Sequence, residues 1–203
     1  MYNKITLLAK VESIMNIFIL DKCPVKSAQM QCDKHVVKMI LESGQMLSTA
    51  HRMLDGKLTK RPSQSGKTMS KYWELSDPIM EKALYKAVHT GHPCTVWTME
   101  TNSNYNWHYK HFIALCDEYT KRYGKVHMTD TKLRDILRRP PVMTNYSNER
   151  TPFRLAMGAS PECIDHSDPI GSYRKFYQTK QERFSMTWTN SIVPDWFRYN
   201  VAI

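Results

Sequence analysis

Residues 28–54 have the sequence AQMQCDKHVVKMILESGQMLSTAHRML, and this stretch decides the fold. Apolar or small side chains recur in it in steps of four and three, the spacing of one helix face. They are Cys32, Val36, Met39, Ser43, Met46, Ala50 and Met53. A polar row accompanies them on another face, formed by His35, Lys38, Glu42, Gln45, Thr49 and Arg52. The pattern predicts one long helix around which the rest of the chain is organised.

The polar row of this helix has two interpretations. Mixed charge on a solvated surface is the common one, and it would make Glu42 a half-buried ion-pair partner of Lys38. The row also places this one carboxylate among a lysine, a histidine and an amide donor. Gly44 lies beside it, although glycine costs about 1 kcal/mol relative to alanine inside a helix. We therefore predict that Glu42 is a general acid/base or an electrostatic stabiliser, whose charge His35 and Lys38 adjust.

Composition limits the kind of protein. The chain has 203 residues, 41% hydrophobic and 24% charged, which suits one domain with a substantial core. The longest apolar run, residues 14–20, is interrupted by Asn16 and is too short to span a membrane. Five cysteines without paired spacing favour a reducing cytoplasm. The net charge of +10 favours phosphate-bearing partners, either nucleic acid or a nucleotide.

The N-terminal residues differ in character from the rest of the chain. Residues 1–14 carry no clear pattern, whereas the segment MNIFILD that begins at Met15 is typical of a folded protein. Residues 10–13 could be encoded by a purine-rich run that resembles a ribosome-binding site. We therefore predict that translation begins at Met15, that residues 1–14 are an extension, and that residues 15–203 form a single domain.

Helix start and stop signals divide the remainder of the chain. Further helices are predicted at residues 77–91, at residues 104–123, from about residue 130, and from residue 168. Residues 55–76 are polar and rich in Lys, Ser and Gly, which predicts an exposed loop. No alternation is long enough for a sheet. The predicted fold class is all-α: a single compact helical domain around one long central helix, with long loops and an aromatic C-terminal strap at residues 188–197.

The helix at residues 104–123 offers a surface on which bases could stack. Its sequence interleaves aromatic and basic side chains, as single-strand binding platforms do. An ordinary aromatic core helix would have the same composition, so both interpretations stay open. The residues predicted to bind substrate, from this helix and from the neighbouring segments, are Gln45, His92, Trp97, Tyr105, Trp107, His108 and Arg122.

Eight histidines raise the question of a metal site. His89/His92 and His108/His111 have the i, i+3 spacing that can place two imidazoles on one ion. No cysteine pair has zinc-ribbon spacing to complete such a site. We therefore predict neither a metal ion nor a cofactor.

Three sequence blocks resemble a known family. The run HVVKMILE at residues 35–42, followed by Gln45, resembles the glutamate-bearing helix of the phage pyrimidine-dimer DNA glycosylase (endonuclease V) family. It is more similar still to small uncharacterised phage and bacterial proteins with an R-L-x-K-x-x-x-E-x-x-Q-x-L helix. An H-P-x-x-x-W block at residues 92–97 and a helix ending ALCDEYTKRYG at residues 114–124 come after it in the same order. The resemblance covers about residues 15–124.

The resemblance implies an α-helical fold with a cleft that faces DNA. It gives Glu42 the position of the family's catalytic carboxylate, with His35 seven residues before it. The family's nucleophile is a free N-terminal amine, exposed by removal of the initiator Met before a small residue. In this sequence Met15 precedes Asn16, a poor context for that removal. The arginines that flank the family glutamate are replaced by Leu41 and Gln45. These departures argue against imine chemistry and against dimer-specific repair.

Three functions are consistent with these observations. The first is a phage-type, DNA glycosylase-like enzyme that acts on a base or glycosidic bond in DNA or a nucleotide. Extruding a base costs a few kcal/mol, which stacking on aromatics around Trp107 could offset. The alternatives are a non-catalytic protein that sequesters a nucleotide, such as an immune signal, and a basic DNA-binding accessory protein. A cytoplasmic location, in the host cell if the protein is phage-encoded, is predicted; the oligomeric state is left open.

Overall fold

The computed structural model describes residues 15–63, 65–142 and 145–200, so the predicted extension at residues 1–14 lies outside the described residues. The described part is mostly helical, with one two-stranded sheet. Its helices are α1 Pro24–Gln29, α2 Asp33–Asp55, α3 Pro78–Ala83, α4 Pro93–Glu100, α5 Asn102–Tyr123, α6 Met128–Leu133 and α7 Pro169–Gln178. Its strands are β1 Lys57–Pro62 and β2 Met69–Glu74, and 3-10 turns occupy Ile136–Arg138, Pro161–Cys163 and Thr179–Glu182.

Helix α2 lies at the centre and packs against α4, α5, α6 and the strands. Its apolar face is buried except for the half-buried Met53 at its end, and each large buried side chain on it stabilises the fold by about 1.5–3 kcal/mol relative to exposure. The helix begins at Asp33 rather than at residue 28. Between α1 and α2, backbone groups form hydrogen bonds with side chains from the C-terminal part of the protein. Trp188 Nε1 donates to the Met30 carbonyl at 3.0 Å, and the Cys32 N–H donates to the Tyr177 hydroxyl at 2.8 Å.

Gly44 explains how α6 fits against α2. A Cβ at this position would lie 2.7 Å from Cγ2 of Thr129 and 3.2 Å from Cδ1 of Leu133. Only glycine therefore allows the two helices to approach this closely. The glycine that is costly inside α2 is therefore required by the close approach of α6.

The structure corrects the prediction of a purely helical fold. Residues 57–74 form an antiparallel hairpin where an exposed loop was predicted, with Leu58 opposite Trp73 and Thr59 opposite Tyr72. The inner face of the hairpin is half-buried, whereas the outer face is mostly exposed and mixes lysine with apolar residues. Because neither face is consistently apolar, the sequence lacks the period-two alternation that signals a strand.

Arg52 joins the hairpin and the segment after α3 to the central helix. Its side chain is 2% exposed and binds the Glu81 carboxylate at 2.8 Å. It also donates to four backbone carbonyls, those of Trp73, Glu81, Leu84 and Tyr85. The helix predicted for residues 77–91 ends at Ala83 because carbonyls that would continue it accept from Arg52 instead.

The C-terminal segment closes the core from the other side. Trp188 and Phe197 are buried with ring centroids 4.7 Å apart. All five cysteines are free thiols. Along the described residues, no helix combines the length and the apolar character needed to cross a membrane.

Candidate active site around Glu42

The segment at residues 15–20 runs through the core, and all six of its residues are buried. The Asn16 side chain fixes its path by donating to the Ala156 carbonyl at 2.8 Å and accepting from the Phe18 N–H at 2.9 Å. Phe18 has a left-handed backbone with φ of 53°. Such a conformation costs on the order of 1–3 kcal/mol and persists only where the surroundings impose it. The segment is therefore held in a strained path beside α2.

The carboxylate of Glu42 meets this segment. Glu42 is 4% exposed, and its Oε2 accepts the Asn16 backbone N–H at 3.0 Å. Its Oε1 lies 3.2 Å from Lys38 Nζ, close enough for charge attraction but without the angles of a hydrogen bond. Among the described residues, Oε1 thus has no hydrogen-bond donor. A buried carboxylate oxygen whose partner is a half-exposed lysine is weakly satisfied, and such a group calls for an explanation such as a catalytic role.

The surroundings act on the charge of this carboxylate in opposite directions. Burial raises the pKa of Glu42 above its usual value, while the Asn16 N–H and the Lys38 ammonium oppose the rise. Lys38 itself is 49% exposed, so the ion pair joins a buried anion to a solvated cation. Glu42 therefore has the ion-pair partner expected of a surface residue, together with the burial and raised pKa of a candidate acid/base.

The structure brings His35 against aromatic rings. Its ring stacks on Phe18 at 4.6 Å and meets Phe184 edge-on at 5.3 Å, and its Nδ1 pairs with the Tyr177 hydroxyl at 2.8 Å. Burial lowers the pKa of His35 to about 3, assisted by nearby positive charges from Lys38, Lys180 and Arg183. His35 is therefore neutral at pH 7, and the contacts described hold the strained Phe18 turn in place.

Four cations form a basic cluster around His35 and the aromatic rings that contact it: Lys34, Lys38, Lys180 and Arg183. Lys34 Nζ lies 4.7 Å from the centroid of the Phe184 ring, and Lys180 Nζ lies 3.3 Å from that of Phe176. Burial lowers the pKa of Lys180 to about 8, and the charges of Arg183 and Lys38 act in the same direction. Lys180 is repelled by Arg183 and Lys38, and the charge of Glu182 offsets part of that repulsion. An excess of cations beside the buried Glu42 carboxylate is suited to bind phosphate.

The loop between α3 and α4 carries two histidines, of which His89 acts on the charge of Glu42. Thr49 on α2 anchors this loop by accepting the Val88 N–H at 3.1 Å. The next residue, His89, is exposed and has a left-handed φ of 50°. A positive charge on this imidazole lowers the pKa of the Glu42 carboxyl. His92 caps α4, its Nδ1 accepting from the Cys94 N–H at 3.2 Å, and burial lowers its pKa.

The predicted substrate-binding residues separate into two groups. Gln45 is half-buried one turn after Glu42 on α2, and His92 lies in the loop just described. The others are buried and bonded to protein groups: Trp97, Tyr105, Trp107, His108 and Arg122. The aromatic helix α5 thus has the packing of a core helix, which was one of its two interpretations.

Two of these residues show what that packing does. The Trp107 indole N–H donates to the Lys22 carbonyl at 2.8 Å and fixes the turn before α1. Arg122 binds Asp33 at 2.9 Å and Glu118 at 3.0 Å, joining the end of α5 to the start of α2. Such contacts position the two helices, which in turn position Glu42.

Other features do not add to this site. Across the described ranges, no group of three or more His, Cys, Asp or Glu side chains could hold a metal ion. A groove of about 690 Å³ lies elsewhere, between α1, α5 and residues 134–138. The candidate site therefore depends on a buried carboxylate, one oxygen of which is bound by a backbone N–H and the other paired with Lys38. Sequence reasoning missed Asn16 as part of it, and the only available signal was its place at the start of the family-like segment.

Comparison with known proteins gives one family match, and it covers the segment that contains Glu42. A family model described as pyrimidine dimer DNA glycosylase matches residues 15–132, more than half of the chain. No curated protein and no solved structure matches the chain. The matched region begins at Met15 and contains Asn16, Lys38 and Glu42, whereas α7 and the cations Lys180 and Arg183 lie beyond its end.

Proposed function

Because the chain belongs to the pyrimidine dimer DNA glycosylase family, we propose that it is a DNA glycosylase-like enzyme in which Glu42 acts at an N-glycosidic bond. The observation that supports this most directly is the Glu42 carboxylate itself. It is buried, one oxygen is fixed by the Asn16 N–H, and the other is paired only with the half-exposed Lys38 among the described residues. A negative charge held in a fixed position is what a developing sugar cation requires.

The reaction follows from that charge. As the glycosidic bond breaks, its electron pair leaves with the base and positive charge develops on the sugar ring. Glu42 stabilises this cation, more strongly than in water because the surroundings are of low dielectric. A water molecule then forms a bond to C1′ and gives a proton to Glu42, which passes it to the departing base.

Duplex DNA is the proposed partner. The basic cluster of Lys34, Lys38, Lys180 and Arg183 lies next to the aromatic group that supports the Glu42 segment. Phosphates bound there would bring the sugar–phosphate backbone to the carboxylate. The base must leave the helical stack to expose its glycosidic bond, and a damaged or mismatched base does so at the lowest cost.

Mass spectrometry after incubation with DNA and with a panel of nucleotides tests the function. A released free base supports the glycosylase. A nucleotide that stays bound and unchanged supports sequestration instead, and unaltered DNA with no bound nucleotide supports an accessory role.

The pH–rate profile of the Lys38→Met variant tests whether Glu42 acts as a charged carboxylate. Lys38 lowers the pKa of Glu42, so its removal raises that pKa further. Because the reaction needs the carboxylate, the rate falls as pH decreases through the pKa of Glu42. We expect the acidic limb of the pH–rate profile to move to higher pH in Lys38→Met.

Lys34→Met is the matched control for that shift. Lys34 lies one turn earlier on α2 and contacts Phe184 rather than Glu42. Its removal should weaken DNA binding without moving the acidic limb. Equal profiles for Lys38→Met and the unaltered protein would show that the limb does not report Glu42.

The Asn16 nitrogen offers a second nucleophile in a chain that begins at that residue. There the nitrogen would be a primary amine in place of the amide that now lies 3.0 Å from Glu42 Oε2. The amine can attack C1′ as the base departs, and opening of the sugar ring then gives an imine. We expect borohydride, which reduces this imine to a stable amine, to trap a protein–DNA adduct with that chain.

Two chains serve as controls for the trapping experiment. The controls are the full chain and a chain that begins at Met15, the proposed translation start. Proteolytic removal of a leader yields both the Met15 chain and the test chain that begins at Asn16. The full chain and the Met15 chain should release base without a trapped adduct. Trapping of all three chains to the same extent would assign the amine to another residue.

A further inference from the structure

The outer face of the β1–β2 hairpin has an arrangement that folding alone does not explain. The register places Lys60 directly opposite Lys71, and both side chains are exposed. Like charges directly opposite each other in a sheet destabilise the strand pair. Across the part of the chain that the structure describes, neither lysine takes part in an ion pair.

The inner face of the same hairpin shows the opposite pattern. Arg61 binds Glu74 at 2.8 Å and Glu81 at 3.4 Å, and its guanidinium lies 3.8 Å from the centroid of the Tyr72 ring. Lys57 is opposite Glu74 in the register. Charge is therefore balanced on the face that packs against the protein and unbalanced on the face that points away.

Apolar residues flank the lysine pair on the outer face. Leu58 and Met69 are 54% and 60% exposed, and Trp73 lies half-buried opposite Leu58 at the base of the hairpin. Lys67 adds a further exposed charge at the turn. The outer face thus presents cations among exposed apolar side chains, the combination that contacts phosphates and the sugar and base edges beside them.

We propose that this face of the hairpin is a DNA-binding arm, in which Lys60 and Lys71 bind backbone phosphates of a duplex while Leu58 and Met69 contact the groove between them. A two-stranded ribbon has the dimensions of the major groove. Two phosphates, one bound by each lysine, offset the repulsion that the lysines exert on each other in the free protein. The identification of the partner as duplex DNA rests on the proposed function.

Fluorescence anisotropy with an undamaged duplex, measured on the full chain over a range of salt concentrations, tests the arm. The Lys60→Ala/Lys71→Ala variant should bind severalfold more weakly. The slope of log affinity against log salt should become shallower by about 1.8, since each lost phosphate contact contributes about 0.9.

The Lys71→Glu variant separates binding from folding. It replaces the repulsive pair with an attractive one, so its melting temperature should equal or exceed that of the unaltered protein. Its affinity for DNA should nevertheless fall. A simultaneous gain in stability and loss of affinity is not expected of residues that serve only the fold.

A second double variant, Lys110→Ala/Lys125→Ala, removes the same charge from exposed positions outside the hairpin. Its DNA affinity should depend on salt concentration nearly as steeply as that of the unaltered protein. An equal loss in both double variants, or an unchanged slope in Lys60→Ala/Lys71→Ala, would overturn the arm. If DNA binding depends on the hairpin but no base is released, the proposal of a DNA-binding arm stands and the proposed glycosylase function is refuted.

Discussion

Glu42→Gln is expected to reduce the rate of base release by about a hundredfold or more, while affinity for DNA stays near that of the unaltered protein. Glutamine preserves the shape of the side chain and an oxygen that can accept the Asn16 N–H. What it removes is the negative charge that stabilises the sugar cation. A hundredfold corresponds to about 2.7 kcal/mol of transition-state stabilisation, within the range that one well-placed group supplies. Single-turnover rates and equilibrium binding, measured on the same DNA, separate the two quantities.

The alternative is that Glu42 serves only as the ion-pair partner of Lys38. In that case Glu42→Gln should leave the rate unchanged and alter the free energy of unfolding by about 1 kcal/mol, because Lys38 remains solvated. Lys38→Met should then partly restore that stability by removing the unpaired charge. Full activity in Glu42→Gln would exclude the catalytic role. Matching melting temperatures would show that any loss of rate is not a loss of folding.

The long helices could be predicted from the sequence because periodicity and capping agree there. Helix α5 was expected at residues 104–123 and is observed at Asn102–Tyr123. Its start is set by the Thr101 side chain, which accepts the Asn104 N–H, and its end by Gly124, whose φ is 64°. Only glycine adopts that conformation readily, so the end of the helix is visible in the sequence.

The short elements could not be predicted in this way because distant residues determine them. The helix at residues 77–91 has favourable start and stop signals, yet Arg52 takes the carbonyls that would extend it. The hairpin was missed because its strands do not alternate between apolar and polar residues. Its outer face carries Lys60 and Lys71 among apolar side chains. The part of Asn16 in the candidate site was missed because a backbone N–H leaves no trace in residue type.

The largest effect on stability is expected at Arg52. Replacement by methionine should reduce the free energy of unfolding by about 3–5 kcal/mol, because it removes a buried guanidinium that binds one carboxylate and four backbone carbonyls. The loss has two sources. Four backbone carbonyls lose their donor, and Glu81 loses a buried cation at 2.8 Å. Urea unfolding followed by circular dichroism gives the magnitude.

Glu81 explains why the loss of Arg52 cannot be absorbed by protonation at neutral pH. Burial alone would raise the pKa of Glu81, but hydrogen bonds from the Tyr72 hydroxyl, the Leu75 N–H and Arg52 lower it to about 2. Two of these donors remain in Arg52→Met, so the carboxylate keeps partners that favour its charge. It would stay charged beside four unpaired carbonyls.

Arg61→Met and Arg52→Lys are the controls that isolate this cause. Arg61 also contacts Glu81, but its side chain is 43% exposed, so its removal should cost less than about 1 kcal/mol. Lysine at position 52 keeps the charge but has three donors on one nitrogen instead of a planar fork, and it should fall between the other two. Equal stability of Arg52→Met and Arg61→Met would contradict the network. The predicted order of the losses in unfolding free energy is Arg52→Met, then Arg52→Lys, then Arg61→Met. If this order is observed, and if amide exchange in Arg52→Met is fastest in residues 57–62 and 69–74, a single side chain of the central helix holds the hairpin in place.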